Sequence, residues 1–200
     1  MEGTVYKSTG SWYTVRTVEG AFYECRIKGK FRLKGIKSTN PVSVGDEVVF
    51  EVDGAIENAQ GIITEIKDRK NYIIRKSVNL SKQTHIIAAN LDQVFLIVTL
   101  NNPPTFTSFI DRFLVTSEAY HIPAILLFNK IDTYNEEELD EIKYLAKLYR
   151  EIGYTCIGIS AKTGKNVDKV KDLMIGKTSM FSGHSGVGKS TLVNAIEPQL

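Results

Sequence analysis

Phe181–Thr191 reads FSGHSGVGKST, and only nine residues follow it. Inside it, Gly183-His184-Ser185-Gly186-Val187-Gly188-Lys189-Ser190 fits G-x-x-x-x-G-K-[ST]. Such a loop curves its backbone N–H groups around phosphate oxygens, and glycines are needed because side chains would obstruct the curve. Lys189 is placed to neutralise the β and γ phosphates, and the Ser190 hydroxyl to help hold Mg²⁺. A short apolar strand precedes the loop at Ser179–Phe181. A helix follows in Thr191-Leu192-Val193-Asn194-Ala195-Ile196, and its positive N-terminal dipole near Gly188 faces the same anion. A Gly/Ser-rich surface turn would lack that strand and helix. Candidate nucleotide contacts therefore run from Ser182 to Thr191, with Lys189 and Ser190 as the catalytic candidates. The motif specifies a nucleoside triphosphate and leaves the base open.

The base is read upstream. Asn129-Lys130-Ile131-Asp132 follows the apolar run Pro123–Phe128, at the strand end where open α/β sheets bind ligands. The Asp132 carboxylate can accept two hydrogen bonds, from guanine N1–H and from its 2-amino group. Adenine would leave that carboxylate unpaired, and a lost polar partner discriminates strongly. Asn129 is expected to bind the base edge and brace the loop, while the Lys130 stem covers one base face. Ser160-Ala161-Lys162-Thr163-Gly164 closes the next strand, Thr155–Ile159. There the Ala161 N–H is placed for guanine O6, Ser160 shapes the loop, and Lys162 packs on the other face. Either stretch alone is also compatible with an ordinary strand-to-helix turn, SAKTG more so than NKID. Two of them at consecutive strand ends, beside a phosphate loop, point to GTP or GDP with Mg²⁺ and against an ATP-dependent kinase or transporter ATPase.

From about residue 85 the chain alternates strands and helices. The apolar run Val94–Thr99 has the character of a strand buried on both faces, and helical stretches are expected at Ser108–His121, from an Asn135 cap with Glu138 completing a capping box, and at Val167–Met174. The second helix places Ile142, Leu145, Tyr149 and Ile152 on one face and stops at Gly153. This is an α/β domain over 85–200. Residues 1–70 instead read as five short strands: Val5–Lys7, Trp12–Thr17, Ala21–Ile27, Glu47–Val52 and Gly61–Ile66. They suggest an all-β OB-like barrel, with an SH3-like barrel as the alternative. The polar segments DRKNY and SVNLSKQT mark a linker, set at 71–84.

Composition is that of a globular protein, 42% hydrophobic and 24% charged, and a net charge of +2 names no partner. No apolar run is long enough to span a bilayer, and the N-terminus has no signal-peptide core. Cys25 and Cys156 lack metal-ligand spacing and read as buried thiols in a reducing cytoplasm. His85, His121 and His184 show no metal spacing either. Charge is concentrated in Arg26–Lys37, RIKGKFRLKGIK, which holds six positive residues and no negative ones. Arg26, Lys28, Lys30, Arg32 and Lys34 recur every second residue, so an extended chain puts them on one face. Such a face is a candidate for salt-sensitive contact with RNA phosphates, with Trp12, Phe22 and Tyr23 available to stack bases. A solvated hairpin with ordinary alternation is the competing reading.

The motif order is decisive for kinship. An ordinary GTPase places its phosphate loop first, whereas here NKID and SAKTG precede GHSGVGKS. An OB-like barrel, then Ile86–Gln93 (IIAANLDQ), then motifs in circularly permuted order resembles the ribosome small subunit-dependent GTPase A family over essentially all 200 residues. The resemblance implies a cytoplasmic, monomeric, membrane-independent GTPase that binds the small ribosomal subunit and its rRNA late in assembly, hydrolyses GTP and leaves. It also implies switch I, a D-x-P-G switch II and a zinc-binding Cys/His domain beyond the phosphate loop. Residues 191–200, TLVNAIEPQL, contain none of these, so the sequence is expected to be C-terminally truncated, with nucleotide binding but little turnover. Zn²⁺ is accordingly expected only outside these residues. Gly186 stands where potassium-activated GTPases carry an asparagine, and no monovalent-cation site is assigned.

Overall fold

The computed structural model describes residues 1–27, 41–52, 60–76 and 84–199, and it divides the chain into two compact units, Met1–Leu91 and Asp92–Leu200. In the first unit the alternation of WYTVRT sets the pattern. Tyr13, Val15 and Thr17 are buried, while Trp12, Thr14 and Arg16 face outward. Five such strands, β1 (Glu2–Thr9), β2 (Trp12–Thr17), β3 (Phe22–Ile27), β4 (Glu47–Val52) and β5 (Gly61–Ile66), close a barrel in the order β1-β2-β3-β5-β4. All neighbours are antiparallel except β3 and β5. This is the OB-like barrel expected from the sequence. Val5, Tyr13, Val15, Cys25, Val48, Phe50 and Ile63 fill it. Gly61 belongs to that packing, because a Cβ there would stand 2.4 Å from Cys25 Sγ and 2.9 Å from Phe50 Cδ2.

Residues 71–84 contain β6 (Tyr72–Lys76), which pairs antiparallel with β7 (Thr84–Ala89), and the first unit continues to Leu91. The same unit holds a buried ion pair. Arg69 grips the fully buried Asp46 with two hydrogen bonds of 2.6 Å, and the Ser43 N–H adds a third at 2.8 Å. A buried carboxylate is tolerable only when so fully paired.

The second unit is a parallel four-stranded sheet in the order β10-β9-β8-β11. Its elements in sequence are β8 (Gln93–Val98), α1 (Thr107–Ala119), β9 (Ala124–Phe128), α2 (Glu136–Glu151), β10 (Thr155–Gly158), α3 (Val167–Met174), β11 (Ser179–Ser182) and α4 (Lys189–Ile196). QVFLIV and AILLF are buried at every position, as strands covered on both faces must be. Phe95, Ile97, Ile125 and Leu127 share a core with Val167 and Val170 of α3 and Leu192 of α4. The α2 capping box forms as the sequence implies, with Asn135 Oδ1 accepting from the Glu138 N–H and Glu138 Oε2 from the Asn135 N–H, both at 2.9 Å. One helical assignment is corrected. Ile142 and Tyr149 are buried with Ala146, but Ile152 is 62% exposed, because it is the C-cap where the chain leaves the helical path. The chain runs outward from β8 through β9 to β10 and then crosses to β11 on the other side of β8. That reversal makes β8/β11 a topological switch point, and ligands bind at the carboxyl ends of strands there.

Candidate guanine-nucleotide site

The phosphate loop leaves the carboxyl end of β11 and is tight enough to exclude side chains. Gly183 has φ +143°, and a Cβ there would meet the Ile97 carbonyl oxygen at 2.6 Å. Gly188 has φ +101°, and its Cβ would meet Asn129 Nδ2 at 2.4 Å. Both positions require glycine on conformation and on space. Lys189 reaches back across the loop, and its Nζ donates to the carbonyls of Gly183 (2.8 Å) and His184 (2.7 Å). Its charge is thereby held at the mouth of the cradle. α4 starts without a side-chain cap, so its first-turn amides keep the donor character that an anion takes. Ser182 and His184 are half-buried, Val187 is buried, and Ser185, Gly186, Ser190 and Thr191 are exposed.

The NKID and SAKTG loops leave the carboxyl ends of β9 and β10, and Asn129 joins them to the GHSGVGKS loop. It is 2% exposed. Its Nδ2 donates to the Val187 carbonyl at 2.8 Å, and its Oδ1 accepts from the Ala161 N–H at 3.0 Å. The sequence reading gave Asn129 a base contact as well as a bracing role, and gave the Ala161 N–H to guanine O6. In the structure these two groups bond to each other. Ser160 is fully buried, and its Oγ accepts from the Thr163 N–H at 3.1 Å, which closes the second loop. Asn129, Lys130, Asp132, Thr133, Ala161, Lys162, Gly188 and Thr191 line one pocket of about 190 Å³. The three sequence-separated motifs thus meet in a single cavity, with the exposed Asp132 at its rim.

Other contributors had no signature in the sequence. Tyr134 is buried, which pushes its phenol pKa up; its hydroxyl accepts from the Leu100 N–H at 3.0 Å and donates to the Asn129 carbonyl at 3.1 Å. Lys130, with φ +66°, donates from Nζ to the Asn102 carbonyl. The His184 ring lies 4.0 Å from that of Phe109 on α1, inclined by 34°. Neither Tyr134 nor Phe109 stands at a spacing that a motif would reveal.

The barrel carries the expected RNA-contact residues only in part within the described residues. Arg26 is exposed on β3, its guanidinium carbon 3.7 Å from the centre of the Trp12 ring. Lys28, Lys30, Arg32 and Lys34 lie outside the described residues. Phe22 is 60% exposed, and Tyr6 stands edge-on to it at 5.7 Å, with Arg16 over both rings. Tyr23 is corrected: it turns inward and packs on Phe50, ring centres 5.3 Å apart. Adjacent residues of a strand point to opposite faces, so Phe22 and Tyr23 cannot both face a ligand.

Comparison with known proteins agrees with this geometry. The family profile described as RsgA GTPase matches residues 66–200, and that described as RsgA N-terminal domain matches 2–63. The small ribosomal subunit biogenesis GTPase RsgA of Christiangramia forsetii is 74% identical over all 200 residues, and that of Flavobacterium johnsoniae is 68% identical. The chain spans 64% and 62% of their lengths. Among solved structures, YjeQ from Thermotoga maritima superposes over the whole chain and 66% of its own, with a TM-score of 0.81 and 36% identity. YloQ, described as a circularly permuted GTPase, covers 98% of this chain and 64% of its own, at a TM-score of 0.71 and 33% identity. Sequence, motif order and fold therefore converge, and the chain belongs to the RsgA GTPase family.

Proposed function

We propose that this chain binds GTP and GDP with Mg²⁺, and that its protein works as a GTPase in biogenesis of the small ribosomal subunit, in contact with rRNA. The observation that carries the nucleotide reading is the Asn129 amide, which ties the phosphate loop at Val187 to the second guanine loop at Ala161. It fixes base pocket and phosphate cradle relative to each other before a ligand arrives, and such preorganisation is what phosphoryl transfer asks of a protein. In this reading Asp132 accepts from guanine N1–H and N2–H, and the stems of Lys130 and Lys162 flank the base. Any O6 contact from the Ala161 N–H is shared with Asn129. Lys189 and the first-turn amides of α4 hold the β and γ phosphates.

The residues fit Mg²⁺. The exposed Ser190 hydroxyl sits on the first turn of α4, and Mg²⁺ commonly takes one or two protein oxygens with phosphates and water. The ion would supply charge that stabilises the transferring phosphoryl group. Among the described residues no cluster of His, Cys, Asp or Glu suits a metal.

The 200 residues contain no D-x-x-G after Ser190, so the chain alone is proposed to bind nucleotide with little turnover. Equal GTP turnover by this chain and by one extended through a D-x-x-G segment would contradict that. RNA contact rests on the outward Arg26/Trp12 and Arg16/Tyr6/Phe22 groups, whose charged and planar surfaces suit phosphates and bases. A ribosomal partner makes the cytoplasm the place of action. Parallel titrations test the base assignment: GDP should bind and ADP should not, and a preference for ADP would end the GTPase reading. A binding module without catalysis is distinguished by single-turnover hydrolysis in the extended protein, which small subunits should stimulate.

A further inference from the structure

Residues 99–105 form a closed turn that lies beside both the base pocket and the phosphate loop. The Thr105 N–H donates to the Thr99 carbonyl at 2.9 Å, and Thr99 Oγ1 donates to the Pro103 carbonyl at 2.6 Å. On the base side, the Asn102 carbonyl accepts from Lys130 Nζ, and the Leu100 N–H is held by the Tyr134 hydroxyl. On the phosphate side, the Pro103 ring lies beside Gly186, its Cδ 3.4 Å from where a Cβ on that glycine would stand. The turn therefore adjoins both halves of the site while lying outside the motifs of either.

Lys130 explains why this matters. Its ammonium is a compact charge on a flexible four-carbon stem, and a neighbouring triphosphate would draw a free ammonium toward itself. With the ammonium held on a backbone carbonyl, the stem keeps one path along the pocket wall. That carbonyl belongs to a turn propped against the phosphate loop. Building on the guanine-nucleotide reading above, we propose that residues 99–105 act as a strut. It anchors the Lys130 ammonium on the Asn102 carbonyl and braces it at Gly186, so that the base platform and the phosphate cradle are set as one unit. Thr99, Asn102 and Pro103 are positioning residues in this account, acting through Lys130.

A double-mutant cycle on this chain tests the strut, with the dissociation rate of a fluorescent GDP as the readout. Lys130→Met keeps the stem and removes the anchored charge, and should speed release about fivefold, the worth of one net hydrogen bond. Pro103→Gly removes the prop, and Thr99→Val removes the bond inside the turn with almost no change of shape, which guards against misfolding of the first variant. Each should speed release alone, yet add nothing in the Lys130→Met background, because the anchor they support is already gone. Pyrophosphate, which uses only the phosphate loop, should compete as well against Thr99→Val as against the parent chain. Effects that multiply in the double variants would overturn the strut, as would a loss of pyrophosphate affinity equal to the loss of GDP affinity. If the parent chain fails to bind fluorescent GDP, the guanine-site reading falls and the strut with it; binding with multiplying effects removes the strut alone.

Discussion

Asn129 and Arg26 are both residues that sequence pattern marks for ligand contact, and the structure treats them in opposite ways. Asn129 is 2% exposed, with both ends of its amide bonded to backbone of neighbouring loops. Arg26 lies in the open over the Trp12 ring, free to leave it for another planar or charged group. The first arrangement is preorganised: buried hydrogen bonds fix the pocket, and each unmade bond leaves a desolvated group without a partner. The second is a surface whose contributions are individually small, screened by salt and roughly additive. The two regions should therefore respond to substitution on different scales.

The steepest response is expected at Gly188. Alanine there must both adopt φ +101° and displace Asn129 Nδ2, so Gly188→Ala should lower GDP affinity about 100-fold or more by calorimetry. A loss under about threefold would show that the cradle is softer than its geometry implies. Asn129→Ala comes next. It strands the Val187 carbonyl and the Ala161 N–H, at a cost of about 1–3 kcal/mol for each buried group, and should lower the unfolding midpoint as well as GDP affinity. On the barrel, Arg16→Ala and Arg26→Ala should each weaken RNA binding only a few-fold and reduce the salt slope by about one counterion. A hundred-fold loss from either would erase the contrast drawn above.

The effect confined to alkaline solution is on pH dependence, and here the two units behave alike. Burial pushes the thiols of Cys25 and Cys156 up to about 11 from 9.0. Below the unfolded value both states keep the proton, and the thiols contribute no pH dependence. As pH rises from 9.0 toward about 11 the unfolded chain ionises first, so stability is lost across that window. Cys25→Ala and Cys156→Ala variants, melted over this range, should each show a shallower alkaline decline than the parent chain.

What could be read from the sequence followed the range of the interactions involved. The phosphate loop, the NKID and SAKTG loops and the Asn135/Glu138 capping box each carry their defining residue types within a few positions, so spacing alone exposes them. The alternation of WYTVRT also matches the burial of Tyr13, Val15 and Thr17 in β2. Tyr134 and the turn at 99–105 stay hidden because they bond across segments, the Leu100 N–H to the Tyr134 hydroxyl and the Asn102 carbonyl to Lys130 Nζ, which no local pattern encodes. The β6/β7 hairpin is obscured by its polar flanks, and the Val44–Ala88 bridge that ties it to the barrel joins residues far apart in the chain. Ile152 is misplaced by extending the helical period one step beyond the backbone that sustains it, and Tyr23 by passing over the strand alternation that sets it opposite Phe22.

The central claim is that Asp132 reads guanine, and exchanging its acceptor for a donor tests this most directly. Xanthine carries a carbonyl where guanine carries its 2-amino group, so Asp132→Asn supplies an amide N–H to a group that would repel the carboxylate. Calorimetric titration of parent and Asp132→Asn chains with GDP and xanthosine diphosphate should show the preference reverse: GDP favoured by the parent, xanthosine diphosphate by the variant. An unchanged preference for GDP in the Asp132→Asn chain would contradict the account, because the base would then be recognised by some other group.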